Sequence, residues 1–196
     1  MGANSALIFG IIINVAILLV FFRFLMQLAG INAYNPVVMS TVKATKIVDV
    51  FGRIFPTVAK GRVNLAALAL LLVLYLLKIF GVMYLSGAMP NSPVHLLILT
   101  FVTMIQDLIR FCRYLIFATI ILSWVVMFTQ SRSPYIEVVQ ELAEPLLAPI
   151  RRIMPNMGMI DLSPILAFLA LYIAEILMNE VAKVLLTGFS VHDKNR

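Results

Sequence analysis

The stretch VNLAALALLLVLYLLKIFGVMYL, residues 63–85, carries one charge, Lys78, in 23 positions. A helix rises 1.5 Å per residue and bilayer hydrocarbon is ~30 Å thick, so roughly 20 apolar residues cross it. Three further runs of this kind lie on either side: Ala6 to Leu28, Phe111 to Thr129 and Leu162 to Met178. Composition agrees. The 196 residues are 62% hydrophobic and 12% charged, with a mean hydropathy of +1.03; soluble domains run ~45–50% apolar and ~25% charged. A water-soluble fold of this size cannot hide so much apolar surface, whereas a bilayer hides it without a large core. The expected fold class is an all-α membrane protein: about four transmembrane helices in two tandem hairpins, with amphipathic interfacial helices in the loops.

No Lys or Arg precedes Ser5 to Phe22, so this stretch lacks the basic leader of a cleavable signal peptide and reads as a retained transmembrane helix. Ahead of the third run, Val94 to Gln106 is apolar but too short to cross alone. It leads into Asp107, Arg110 and Arg113, whose spacing of three puts them on roughly one helix face, where they are expected to satisfy one another. Three arrangements fit: an interfacial helix before the third span, one long tilted helix from Val94 to Thr129, or a fifth, shorter crossing. Arg23, near the end of the first run, is expected to snorkel to the interface.

Two loops hold the polar content. The first, Gly30 to Arg62, carries Lys43, Lys46, Arg53, Lys60 and Arg62 against Asp49; the second, Gln130 to Asp161, carries Arg132, Arg151 and Arg152 with Glu137, Glu141, Glu144 and Asp161. The connection from Ser86 to Pro93 has no charge. Lys and Arg concentrate in cytoplasmic loops, so both loops are expected in the cytoplasm and both termini outside it, in a cytoplasmic (inner) membrane. The formal charge of +6 is dispersed among apolar runs and reads as topology, with no nucleic-acid partner. In the second loop Tyr135, Ile136, Val138, Val139, Leu142 and Leu146 interleave with Glu137, Gln140, Glu141 and Glu144 at helical spacing. This is an amphipathic helix, which Pro145 and Pro149 end or bend. Val38, Val42 and Val48 against Ser40, Lys43 and Lys46 repeat the design more weakly in the first loop. Each apolar face lies either on the membrane interface or on the protein itself.

The loops also share an order. Asn35-Pro36, an amphipathic stretch, Arg53-Ile54-Phe55-Pro56 and Asn64 before an apolar run are answered by Ser133-Pro134, an amphipathic stretch, Arg152-Ile153-Met154-Pro155 and Ser163-Pro164 before another. The offset is 98 residues between Pro36 and Pro134 and 99 between Pro56 and Pro155. The chain therefore divides into a first unit, 1–90, a second, 91–185, and a polar tail, 186–196. Parallel membrane repeats of this kind are related by an axis along the membrane normal.

The second unit contains Ser131-Arg132-Ser133-Pro134, then Glu144-Pro145-Leu146-Leu147-Ala148-Pro149-Ile150-Arg151-Arg152-Ile153-Met154-Pro155, and closes with Gly158 and Asp161-Leu162-Ser163-Pro164. This resembles the YggT (YlmG-related) family of small bacterial and plastid membrane proteins, in two tandem copies over nearly the whole chain. The first unit departs from the pattern: it lacks the Glu-Pro-Leu-Leu-x-Pro run, has one arginine for two, and shows Arg62-Val63-Asn64-Leu65 where Asp-x-Ser-Pro would stand. The resemblance implies an inner-membrane or thylakoid location and loose ties to cell division, membrane-protein assembly or osmotic tolerance. It implies no biochemical activity.

Charges inside the spans are the sharpest pointers, since one costs ~2.5–3.5 kcal/mol even on insertion scales. Glu175 lies 12 residues beyond Ser163, and Lys78 lies 14 beyond Asn64; each follows a tyrosine, Tyr172 or Tyr75, by three positions. They are expected at similar depth, as an intramembrane ion pair that docks the units, as an unpaired snorkelling lysine, or as part of an ion relay. Arg151 and Arg152 between Pro149 and Pro155 form a basic corner, which either anchors topology or holds anionic lipid head groups or a membrane-protein partner, with Glu144 as an internal alternative. Asp161, Ser163 and Pro164 read as the start of the fourth helix, the serine capping and the proline opening it.

Cys112 is the only cysteine and His95 and His192 the only histidines, so no disulfide forms within the chain and no metal-ligand spacing exists. No phosphate loop, nucleophile triad or carboxylate pair can be assembled. The expectation is a non-enzymatic assembly or scaffold factor without cofactor or metal, its oligomeric state open; a small transporter or channel component is the alternative.

Overall fold

The computed structural model describes residues 2–58, 61–88, 92–130, 133–153 and 161–193. α1 (Gly2–Ala29) leads into a polar segment with two short helices, α2 (Pro36–Ala44) and α3 (Ile47–Phe51). A small antiparallel hairpin follows, β1 (Thr57–Val58) and β2 (Val63–Asn64), pairing Thr57 with Asn64 and Val58 with Val63. α4 (Leu65–Leu85) runs back to a short connection. Then come α5 (Pro93–Thr129), α6 (Pro134–Ile153) and α7 (Ser163–Asp193). Among the described residues four segments are long and apolar enough to cross a membrane: Asn4–Ala29, Leu65–Leu85, Pro93–Thr129 and Ser163–Leu186. The chain is a multi-pass, all-α membrane protein.

Side-chain caps set the helix starts. Asn35 Oδ1 accepts the Val37 amide at 2.9 Å and Pro36 opens α2. Asn64 Oδ1 accepts the Ala67 amide at 3.0 Å, and Ser92 Oγ accepts the His95 amide at 3.1 Å ahead of Pro93. In each case an orphan amide of the first turn gains an acceptor, and the prolines that open α2 and α5 have no amide to lose.

α1 packs chiefly on α4, and α5 on α7; the two pairs join where α4 meets α5 and where α6 bridges α1, α5 and α7. Gly81 permits the first pairing, since a Cβ there would overlap the Phe9 ring of α1. α2 touches α6, so both polar loops sit at one end of the bundle.

α5 is continuous over 37 residues. Of the arrangements considered for this segment, the long helix is the one observed; a separate interfacial helix and a fifth crossing are not. Its register against α7 follows from the Phe117–Phe168 rings, 6.2 Å apart, the Gln106–Asn179 hydrogen bond at 2.9 Å, and a shared groove in which Leu99 and Val102 lie beside Ala182 and Leu186. The part of α5 facing α7 thus starts near Leu99, well before the third apolar run of the sequence. Asp107, Arg110 and Arg113 fall mid-helix rather than at a boundary.

α6 is amphipathic as its spacing predicts, and its apolar face is turned on the protein. Val138, Leu142, Ala143 and Leu147 are buried with Met26, Leu115, Ile116 and Ala167. Pro145 and Pro149 do not end α6, which runs on to Ile153. The reason is their placement. Glu141, Pro145 and Pro149 follow one another at intervals of four on the exposed side, so the carbonyls of Glu141 and Pro145 that lose an amide donor point away from the core.

Candidate functional site

Two polar clusters stand out, one deep in the bundle and one at the loop end. The deep cluster starts from Lys78, 13 residues into α4, and Glu175, 12 residues into α7, each roughly 18–20 Å along its helix from the loop end. Lys78 and Glu175 do not pair with each other. Lys78 Nζ lies 3.5 Å from Asp107 Oδ2, while Glu175 Oε1 meets Arg110 Nε at 3.3 Å and Glu175 Oε2 meets Arg113 Nη2 at 2.9 Å. Arg110 Nη1 also reaches Asp107 Oδ1 at 3.1 Å, and Tyr75 donates its hydroxyl to Asp107 Oδ2 at 3.1 Å. The predicted pair is therefore bridged: charges alternate from Lys78 through Asp107, Arg110 and Glu175 to Arg113, tying α4 to α5 and α5 to α7. The expectation that Asp107, Arg110 and Arg113 satisfy one another holds for the first two; Arg113 turns to Glu175.

Arg113 sits in an aromatic surround, its guanidinium carbon 5.4 Å from the Tyr114 ring centroid, 5.5 Å from Tyr172 and 5.8 Å from Phe168. Such faces attract a desolvated cation. Alignment with Glu175 is imperfect: Arg113 Nε and Glu175 Oε2 are both buried without a hydrogen-bond partner among the described residues. The contact is an ion pair by distance only. Beside this chain of charges, a cavity of about 400 Å³ opens between α1, α4 and α5, with Asn14, Tyr75, Lys78, Asp107, Arg110 and Tyr114 as its polar lining.

At the loop end Arg151 forms a clamp. Its Nη1 donates to Glu144 Oε2 at 2.6 Å and its Nε to Asp161 Oδ2 at 3.0 Å. Asp161 Oδ1 in turn accepts the Ser163 amide at 2.9 Å. The capping oxygen at the start of α7 thus comes from Asp161, two residues upstream, with Ser163 as donor and Pro164 in the first turn. Partial burial, the largest influence on Asp161, would raise its pKa, but the hydrogen bonds from Ser163 and Arg151 outweigh it and hold the carboxyl below its ordinary value. Partial burial likewise opposes the charge on Arg151, yet its bonds to Glu144 and Asp161 hold the guanidinium above its ordinary value. Arg152 is exposed and shares none of these bonds. Pro149 lies on the exposed side of α6; Pro155 and Gly158 lie outside the described residues.

The first loop is held from the opposite direction. Arg23 of α1 does not snorkel into solvent: its Nη1 donates to the Thr45 carbonyl at 2.7 Å and its Nη2 pairs with Asp49. Gln27 of α1 donates to the Gly61 carbonyl at 2.8 Å and accepts from Asn64 Nδ2 at 2.9 Å. Arg23 stands near the end of the first apolar run, and the signal for its pairing, the lone acid Asp49 in a basic loop, is present in the sequence.

The CCB3/YggT family profile matches residues 98–182, which run from α5 into α7. An uncharacterised protein of Pseudomonas aeruginosa is 32% identical over 181 residues, spanning 90% of this chain and 90% of its own length. One from Haemophilus influenzae is 32% identical over 179 residues, 90% of this chain and 93% of its own. The uncharacterised protein YggT of Escherichia coli K12 is 32% identical over 171 residues, 87% and 86% respectively. No solved structure matches the chain. With Glu144, Arg151 and Asp161 of the motif joined in one clamp and relatives aligned over most of their length, the chain belongs to the CCB3/YggT family.

Proposed function

We propose that this protein is a non-catalytic scaffold whose second loop presents a fixed docking face to other membrane proteins or to anionic lipid head groups. The observation that supports it is the use of α6. Its apolar side is consumed inside the bundle and Arg151 is consumed in the clamp, so α6 is held rigid. What remains outward includes the charged Glu137, Glu141 and Arg152, with Tyr135 and Ile153 exposed near the two ends of the helix. A rigid charged surface recognises partners at little conformational cost. Arg110 and Arg113 are paired within the bundle and drop out of the Lys and Arg count, which favours both loops in the cytoplasm of an inner membrane. The tandem-unit reading draws support from the matching helix pairs, α1 with α4 and α5 with α7, and from the two loops lying at one end.

The test is photo-crosslinking in the native membrane from Arg152 and Glu141, with lipid-facing Leu169 as the control position. Discrete protein adducts from α6 but not from Leu169 are expected. Equal patterns from all three sites would reject the docking face.

A small transporter or channel component is the second reading, and the five-charge chain with its adjoining cavity favours it. Relays use runs of ionisable groups, and this cluster supplies one. Ion flux into vesicles containing the purified protein, abolished by Glu175→Gln, is the outcome this reading requires.

A further inference from the structure

We infer that the cavity between α1, α4 and α5 is a binding site for an amphiphilic anion, its head between Lys78 and Arg110 and its tail along the apolar wall. Three observations converge. First, the deep cluster is not neutral: Lys78, Arg110 and Arg113 face only Asp107 and Glu175, leaving one positive charge uncompensated among the described residues. An unbalanced charge in hydrocarbon is costly, and a bound anion removes that cost.

Second, the excess lies on the cavity side. Arg113 is enclosed by aromatic rings and Glu175 and does not line the cavity, whereas Lys78 and Arg110 both do. Arg110 keeps 43% of its side chain exposed although it sits mid-helix, with its Nη2 in neither of its two ion pairs. Asp107 lines the cavity too and joins Lys78 to Arg110, so the lining carries two positive charges against one negative, and Tyr75 and Asn14 add polar groups at the head position.

Third, the opposite wall is apolar: Ile17, Leu18 and Phe21 of α1 with Leu108 and Phe111 of α5. About 400 Å³ is far more than an inorganic anion needs, and within the usual range of small-molecule sites. A charged end with an apolar body is the chemistry such a space selects. Both a fatty carboxylate and a lipid phosphate monoester meet it, and they reach the cavity sideways from the bilayer.

The experiment uses the full-length protein in nanodiscs of a zwitterionic lipid, with binding of radiolabelled palmitate, dipalmitoyl phosphatidate and the uncharged 1-hexadecanol measured separately. Saturable binding of one ligand per chain is expected for palmitate or phosphatidate, at least tenfold tighter than for the alcohol, and the tighter of the two identifies the head group. Arg110→Gln should weaken that binding tenfold or more. Because Arg110→Gln removes two structural ion pairs as well, Leu18→Trp provides an independent variant: it fills the apolar wall, leaves every charge in place, and should abolish binding in a protein that still elutes as the wild type. Equal binding of alcohol and anions, no saturable binding of either anion, or full binding to Leu18→Trp would each overturn the assignment. Crosslinking from α6, which tests the scaffold, uses different residues, so the two ideas fail separately.

Discussion

Arg113 and Arg151 make nearly the same contact in different solvents. Arg113 meets Glu175 at 2.9 Å deep in the bundle; Arg151 meets Glu144 at 2.6 Å and Asp161 at 3.0 Å at the loop end. By distance the Arg151–Glu144 contact is the tightest of these. Energetically the order reverses, because the side chains of Arg151, Glu144 and Asp161 are 41, 54 and 47% exposed while those of Arg113 and Glu175 are 17 and 11%. Water and salt screen the first set, and removal of either partner returns the other to a favourable medium. The deep pair has no such refuge, and each charge depends on its neighbour remaining in place.

The sharpest way to break this comparison is Glu175→Ala. It leaves Arg110 without one of its two partners and Arg113 without its only acid among the described residues, and a cost of about 3–5 kcal/mol is expected, read as loss of folded protein in membranes and a lower thermal midpoint in detergent. A charge exchange sharpens it further. Glu175→Lys should be at least as damaging, since it sets a third cation against Arg110 and Arg113, and Lys78→Glu should fail to restore it, because Lys78 faces Asp107 rather than Glu175. Restoration would mean that the deep charges have been wrongly connected.

Effects at the loop end should be smaller. Arg151→Gln releases α6 from the start of α7 at a cost below about 1 kcal/mol, and the difference from wild type should shrink further in high salt. For Asp161 the sign follows from its depressed folded-state pKa. Its contribution is present above the ordinary carboxylate value, about 4, and is lost as pH falls through the lower folded value. Thermal midpoints of wild type and Asp161→Asn should therefore differ at pH 7 and converge at the acid end. Smallest of all, Arg152→Gln should leave the midpoint unmoved while reducing crosslinks from α6, which separates a docking residue from a clamp residue.

The four spans were legible because hydrocarbon demands long apolar runs, and the face of α6 was legible from its period. The placement of α5 was not. A hydropathy reading counts Asp107, Arg110 and Arg113 as boundary residues, although their spacing of three along one face already hinted at a partner helix. Which partner they take depends on the register between α5 and α7, set by contacts such as Phe117 with Phe168 and Gln106 with Asn179 across more than fifty residues of chain. No local pattern carries that information. The prolines of α6 are compatible with a continuous helix for a reason the sequence alone does not give: Pro145 and Pro149 interrupt only the outward row, whose freed carbonyls point away from the core.

α5 also outreaches its neighbours. Beyond the level of Phe168 it continues from Ile121 to Phe128 with Ile121, Trp124, Met127 and Phe128 outward and uncovered. The oily girdle of this protein is therefore taller on one flank than on the flank formed by α4. A bilayer of uniform thickness cannot match both, so the bundle must lean or the lipids beside α5 must stretch, at a fraction of a kcal/mol per Å. Trp124, an interface-seeking ring near the tip, fixes where that accommodation stops. Membranes of different thickness would thus hold the molecule at different angles, and the polar end would meet its surroundings at an angle set by the lipids themselves.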